Sequence, residues 1–188
     1  MKKGLIILFV CLGIVGLIAG MLAGSYNKFV DAEEALSAAQ SEVQNQLQRR
    51  ADLIPNFVST VKGYSDYEGS TYLAVTEARS KVSEADDVED QQEASEELNS
   101  AISVWVNAVT EAYPELKADS QYRALQDELA GTESRVATAR RDYNKVAESY
   151  NKSVRRFPGS IAAAIFGFEK AEYFEADDGA SSVPQVTF

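Results

Sequence analysis

From Tyr122 to Phe157 one position in every three or four is apolar or small, without a slip: Tyr122, Leu125, Leu129, Thr132, Val136, Ala139, Tyr143, Val146, Tyr150, Ser153 and Phe157. Steps of three and four in alternation average about 3.5 residues, the period of long helices packed side by side at a shallow angle. A strand repeats every second residue and cannot use this pattern. Thr132, Ala139 and Ser153 make the stripe lean. It suits close antiparallel packing within one chain better than a strong self-zipper. The element therefore demands helical partners, and the preceding chain offers them.

Phe29, Leu36 and Val43 recur every seven residues, with Val30 and Leu47 beside them, and predict a helix over 25–51. Phe57, Val58, Val61, Tyr64, Tyr72, Val75, Ala78 and Val82 predict a second over 53–84. Gly63 and Gly69 inside it predict a slight bend rather than a break. Pro55 has no N–H and cannot sit inside a straight helix, but it fits the first turn of a new one. With Asp52 as N-cap, the chain turns near residue 52 and the second helix folds back beside the first. Residues 84–90 read as an acidic loop. Asp90 with Glu93 has the spacing of a capping box for a third helix over 90–112, carried by Leu98, Ile102, Trp105, Val109 and Ala112. Tyr113-Pro114-Glu115 ends it, and Asp119 or Ser120 caps a fourth over 119–157. The fold class is all-α: an N-terminal transmembrane helix followed by an antiparallel four-helix bundle over 25–157.

The anchor is the uncharged run from Gly4 to Ala23. At about 1.5 Å per residue it spans roughly 30 Å, the thickness of a bilayer's hydrocarbon core. A signal peptide cleaved before Tyr26 is the competing reading, but the apolar region of such peptides is shorter. A lipidated Cys11 is disfavoured by bulky Phe9 and Val10 before it. Lys2 and Lys3 precede the run, and a lone Lys28 followed by acids comes after it. The positive-inside rule then keeps residues 1–3 in the cytoplasm and puts the body outside. Past Pro158 comes a short apolar segment, Ile161 to Phe168, and an acidic tail to residue 188. The tail should be mostly irregular, with Tyr173-Phe174 docking.

Charge and composition exclude several functions. The net charge is −11, and Lys2 and Lys3 are the only charges before Lys28. So acidic a body argues against nucleic acid. There is no histidine, and the single cysteine lies in the apolar run. Ser-His and Cys-His nucleophiles, histidine-bearing di-iron bundles and zinc sites are therefore out. No Gly-rich phosphate loop appears. The acid pairs Glu33-Glu34, Asp86-Asp87, Glu96-Glu97 and Asp177-Asp178 read as solvated helix faces. No catalytic residue, cofactor or small-molecule substrate is expected.

Certain motifs resemble a known family. Gln46 and Gln48, the pair Arg49-Arg50, then Asp52-Leu53-Ile54-Pro55-Asn56 are similar to the signature of the LemA family of bacterial single-pass membrane proteins. The likeness continues through Val61-Lys62-Gly63-Tyr64, Val75-Thr76-Glu77-Ala78-Arg79, Ala112 to Lys117, Gly131 to Arg135 and Arg140-Arg141-Asp142-Tyr143-Asn144. It ends at Phe166-Gly167-Phe168 and Tyr173-Phe174. The resemblance implies a membrane-anchored helical bundle associated with membrane quality control and proteolysis, and it does not deliver an activity. Some members carry a lipid-anchored cysteine just before the Tyr-Asn pair, here Tyr26-Asn27. This chain has Gly24-Ser25 there, so that anchor does not carry over.

Two clusters remain as candidates. The first is Gln46, Gln48, Arg49, Arg50, Asp52, Pro55 and Asn56, with Arg140, Arg141 and Asp142. It is either a network locking the first corner, with Glu42 and Glu133 as counter-charges, or a docking patch at the tip of the bundle. The second is Arg155, Arg156, Phe157, Ile161, Ile165, Phe166 and Phe168. It is either a cover for the bundle's open end or a foot on the bilayer, because an up-down order returns residue 157 to the membrane. The function expected is a non-catalytic scaffold or adaptor that binds lipid through its anchor and an unknown protein through its body. A homo-oligomeric lattice on the membrane surface is the alternative, and a hydrolase using carboxylates alone is the remote one.

Overall fold

The computed structural model describes residues 2–62 and 70–175. Every regular element among them is helical: α1 (Lys2–Ala51), α2 (Ile54–Lys62), α3 (Ser70–Glu84), α4 (Val88–Ala112), a 3-10 turn (Pro114–Ala118), α5 (Ser120–Arg155) and α6 (Gly159–Phe166). The chain divides into two compact units. One takes Met1–Ala38 and Lys145–Glu172, the other Ala39–Asn144 and Tyr173–Phe188. Helices α1 and α5 contribute to both.

The second unit is the bundle, built from the end of α1, from α2 with α3, from α4 and from most of α5. Its register is antiparallel. Gln40 reaches the carbonyl of Asp86, and four residues on, Gln44 reaches that of Val82. Likewise Asn99 meets Glu133, while Thr110 and Tyr122 share a hydroxyl–hydroxyl hydrogen bond of 2.7 Å. Phe57 is the hub of the core, with its ring centroid 5.0 Å from those of both Trp105 and Tyr122. Val43, Leu47, Val75, Val82, Leu98 and Val109 are also fully or almost fully buried.

The first corner turns on two residues. The Asp52 N–H donates to the Gln48 carbonyl at 2.9 Å and closes α1. The Phe57 N–H donates to the Leu53 carbonyl at 3.0 Å and opens α2. Leu53, not Asp52, thus stands at the N-cap position, and Pro55 falls in the first turn, where its missing N–H costs nothing. Asp87, rather than Asp90, caps α4: its carboxylate accepts the Asp90 N–H at 2.8 Å, so the helix starts at Val88. Asp119 does the same for α5, accepting from Tyr122 N–H at 2.8 Å. Where one helix over 53–84 was expected, α2 and α3 are its described parts. Tyr64 and the bend expected at Gly63 and Gly69 lie outside the described residues.

The α5 stripe departs from its sequence pattern at one end. Tyr122, Leu129, Thr132, Val136, Ala139 and Tyr143 are buried as expected. Tyr150 is buried as expected too, but on either side of it Ala147 and Val154 are buried in place of Val146 and Ser153, and Phe157 is 82% exposed. A straight α-helix has about 3.6 residues per turn and drifts by roughly 20° per heptad against a strict 3.5 repeat. That drift moves the buried positions on by one residue, to Ala147 and Val154, while Phe157 lies past the end of α5 at Arg155 and is no longer on the helix.

The first unit contains the apolar half of α1. This is the one helix among the described residues long and apolar enough to cross a membrane, and its large side chains from Leu5 to Met21 are all exposed. Below that run Phe29 is buried with Tyr150, Val154, Ala162 and Ala163, and Leu22, Leu36 and Phe168 pack against them. Gly159 permits this contact. A Cβ there would lie 2.5 Å from the Ser153 carbonyl oxygen and 3.3 Å from the Phe29 ring. Gly167, at φ 79°, reverses the chain after α6. Asn151 then clamps the returning strand, donating to the Ala171 carbonyl at 2.9 Å and accepting its N–H at 2.8 Å.

Two outcomes follow. Gly159→Ala should cost about 1–3 kcal/mol through overpacking, read by denaturant melts of the detergent-solubilised chain. Tyr150 titrates above the usual 10.0, first through burial and then through Glu33 and Glu169. Just above pH 10 the folded protein therefore keeps a proton that the unfolded chain has lost, and stability falls as pH rises through that window. Tyr150→Phe should flatten that fall in melts run from pH 9 upward.

Candidate functional site

The last turns of α1 carry glutamine at 40, 44 and 48, four residues apart and so on one face. That face meets the end of α3. A helix ends with four carbonyls that have no intrahelical partner. Gln44 Nε2 donates to one of them, on Val82, at 2.7 Å. Gln40 Nε2 donates to the Asp86 carbonyl just beyond at 3.0 Å. The Gln48 carboxamide oxygen accepts the Ser83 hydroxyl at 3.3 Å, and its Nε2 donates to Asp52 at 3.1 Å. The glutamines are a capping rail for α3. Gln46 stands off the rail and bonds only along its own helix, to Glu42 at 2.7 Å. The pattern that finds the rail is the four-residue spacing, which points to Gln40 and Gln44 rather than Gln46.

The two arginines that follow face opposite ways. Arg50 is buried and forms an ion pair with Glu133 of α5, and the same carboxylate accepts from Asn99 of α4 at 3.1 Å. One carboxylate therefore ties three helices. Arg49 is exposed, 3.4 Å from Glu128, which Arg135 also holds. Asp52 accepts from Gln48 and lies 3.5 Å from Arg79 of α3. Pro55 and Asn56 are exposed. Beside them lies a groove of about 240 Å³, lined among others by Pro55, Ser59, Tyr72, Thr76 and Arg79.

The second arginine motif serves the tail. Arg140 is buried, with its guanidinium 5.3 Å from the centre of the Phe174 ring, a cation–π contact. Tyr143 meets the same ring edge-on at 5.1 Å. Asn144 binds the Phe174 backbone twice, donating to its carbonyl at 2.8 Å and accepting its N–H at 3.0 Å. Of the expected docking pair, Phe174 is buried and Tyr173 is exposed. Residues 169–175 have no regular secondary structure. Arg141 stays on its own helix, donating to the Thr138 hydroxyl at 3.0 Å, and Asp142 is exposed.

The second candidate cluster lies in the first unit. Arg155, Arg156, Phe157, Ile161, Ile165 and Phe166 are exposed, and Phe168 is half-buried. The covering of the Phe29 core falls to Ala162, Ala163 and Phe168, not to the two isoleucines. Phe166 and Phe168 meet Tyr26 edge-on, at 5.0 and 5.7 Å.

For catalysis the described residues offer little. Glu33-Glu34 and Asp86-Asp87 are exposed, and Asp87 serves as a helix cap. Glu97 is paired with Lys81 at 2.7 Å, and this hydrogen bond holds the lysine above its usual value. Asp177-Asp178 lie outside the described residues. No group of three or more potential metal ligands occurs among the described residues.

The bundle and the long apolar helix define a class: an all-helical, membrane-associated protein. A model of the LemA family matches residues 39–188, and the chain belongs to that family. It is 28% identical to magnetosome protein MamQ 2 of Paramagnetospirillum magneticum, over 94% of this chain and 73% of that protein. It is 27% identical to protein LemA of Metamycoplasma hominis, over 94% of this chain and 80% of the other. Neither name, nor that of the family, is the name of an enzyme.

The neighbouring arginines should separate sharply on substitution. Arg50→Ala removes a buried partner and strands a three-helix junction, costing about 2–4 kcal/mol. Arg49→Ala removes an exposed pair and should cost less than about 1 kcal/mol. Chemical denaturation of the two variants checks both. Asn144→Ala loses two hydrogen bonds at about 1 kcal/mol each and should speed proteolysis of the tail after Phe174.

Proposed function

We propose that this protein is a non-catalytic, membrane-anchored scaffold whose bundle holds a protein partner at the cell envelope. The carrying observation is the division of the signature stretch. Its inward residues, Gln48, Arg50 and Leu53–Ile54, are spent on holding α1, α2, α3 and α5 together. Its outward residues, Arg49, Asp52, Pro55 and Asn56, form an exposed rigid edge beside the 240 Å³ groove. A short turn closed by backbone hydrogen bonds and by the pair of buried Arg50 with Glu133 presents its side chains with little entropy left to lose on binding. The MamQ relatives are named for a magnetosome and the other for its family, which fits a role in assembly better than one in turnover. The body acts on the extracytoplasmic side, as the two lysines before the apolar run argue.

The test is photo-cross-linking in native membranes, with a photoreactive residue in place of Asn56 and, as control, one in place of Ser149. A dominant adduct with a different protein from position 56 alone is the expected result. Adducts made only of this chain would replace the adaptor by a homo-oligomeric lattice. No adduct from position 56 above the control would overturn docking at the corner.

A further inference from the structure

We propose that α6 and the residues flanking it form an interfacial foot. It would lie in the headgroup region of the bilayer that α1 enters, on the side of the body. The proposal does not rest on docking at the α1–α2 corner.

The level of α6 along α1 carries the argument. The apolar run ends at Ala23. Tyr26 lies three residues past it, about 4.5 Å along the axis, and Phe29 six residues past it, about 9 Å. The polar layer on each face of a bilayer is roughly 5–8 Å thick. Phe166 and Phe168 rest on Tyr26, and Ala162 and Ala163 rest on Phe29. The cluster reaches further, to Leu22, inside the run itself. Helix α6 is thus fastened to α1 across the depth of the headgroup layer, from Leu22 at its hydrocarbon edge to Phe29 at its outer edge, by contacts internal to one compact unit.

The outward side of α6 is what such a layer accepts. Ile161 is 51% exposed, Ile165 59% and Phe166 44%, with Phe157 just before the helix at 82%. In water these side chains would gain from any cover, while Ala162 and Ala163 between them already have theirs. A helix of eight residues cannot span a bilayer, but it can lie in its interface. Arg155 and Arg156, both exposed, precede Phe157. They stand where guanidinium groups would meet lipid phosphates. Tyr26, with an apolar ring and a polar hydroxyl, is a residue type of interfacial belts. A lipid surface is favoured over a protein because the patch adjoins the one helix among the described residues long and apolar enough to cross a membrane.

The test uses the full chain in lipid nanodiscs. Cys11→Ser removes the native thiol, and single cysteines at Ile161, Ile165 or, as a water-facing control, Ser149 carry a nitroxide label. Collision with oxygen, which concentrates in hydrocarbon, is compared with collision with a water-soluble nickel chelate. At 161 and 165 the oxygen-to-nickel ratio should rise severalfold above that at 149. Replacing part of the phosphatidylcholine by phosphatidylglycerol should raise it further, and Arg155→Gln with Arg156→Gln should abolish that increment. Ratios at 161 and 165 equal to that at 149 would overturn the foot. Labels shielded from both reagents would overturn it too, because protein would then cover the patch. Both isoleucines are exposed, so cysteine there leaves the Phe29 core intact, and helical content by circular dichroism verifies this.

Discussion

Every helix end in this chain poses the same demand. Four N–H groups at the start and four carbonyls at the end lack partners within the helix, and an unpaired polar group in a packed interior costs free energy of the order of 1–3 kcal/mol. At several of these ends a side chain meets part of the demand. Asp87 and Asp119 answer the starts of α4 and α5. Gln44 answers the end of α3 from across the bundle. Asn144 and Asn151 extend the device to backbone that belongs to no helix, each offering one donor and one acceptor to a single tail residue. An amide side chain can do this because it carries both functions in one plane. Of the residues in the family motifs, Asn144 completes the backbone in this way, whereas Gln48, Arg49, Arg50 and Asp52 bond to other side chains.

That economy explains what the sequence could and could not disclose. Apolar periodicity reports burial, so the α5 stripe and the all-helical fold were legible. Pro55 reports a backbone limit, so the corner was legible to within one residue. Amide rails report neither. Gln46 and Gln48 looked alike in sequence, yet only Gln48 lies on the face that meets α3, because helical phase, not composition, decides. Arg49 and Arg50 show the same blindness, since a step of about 100° per residue turns one to Glu133 and its neighbour to solvent. Asp90 with Glu93 matched the spacing of a capping box, but Asp87 already satisfied the Asp90 N–H, and the earlier cap won. The misplacement of Phe157 has a different source: α5 stops at Arg155, two residues before it, so the apolar pattern runs on past the helix that it describes.

The same phase argument bears on function. Residues recruited to hold helices together cannot also grip a partner without loosening the bundle. A signature that mixes both must distribute them by helical angle. The exposed remainder, Arg49, Asp52, Pro55 and Asn56, is short and lies on a turn closed by hydrogen bonds on both sides. Such a surface changes little on binding. It suits recognition of a preformed partner better than a site that must close around a substrate.

Anchoring raises a separate physical problem. The apolar run of α1 is exposed on all sides, so hydrophobicity fixes its depth in a bilayer but leaves its rotation and tilt unset. Those are set by whatever interfacial groups or packed neighbours the helix carries. Helix α6 breaks the symmetry, because it is fastened to one side of α1 through Leu22, Tyr26 and Phe29. Its exposed isoleucines and the two arginines before it provide an apolar face and cations on that side alone. The acidic charge of the chain as a whole works in the same sense, since anionic headgroups repel acids and leave a local basic spot as the favourable point of approach. A single-pass anchor with such an attachment has one preferred azimuth, which a bare helix of the same hydropathy lacks.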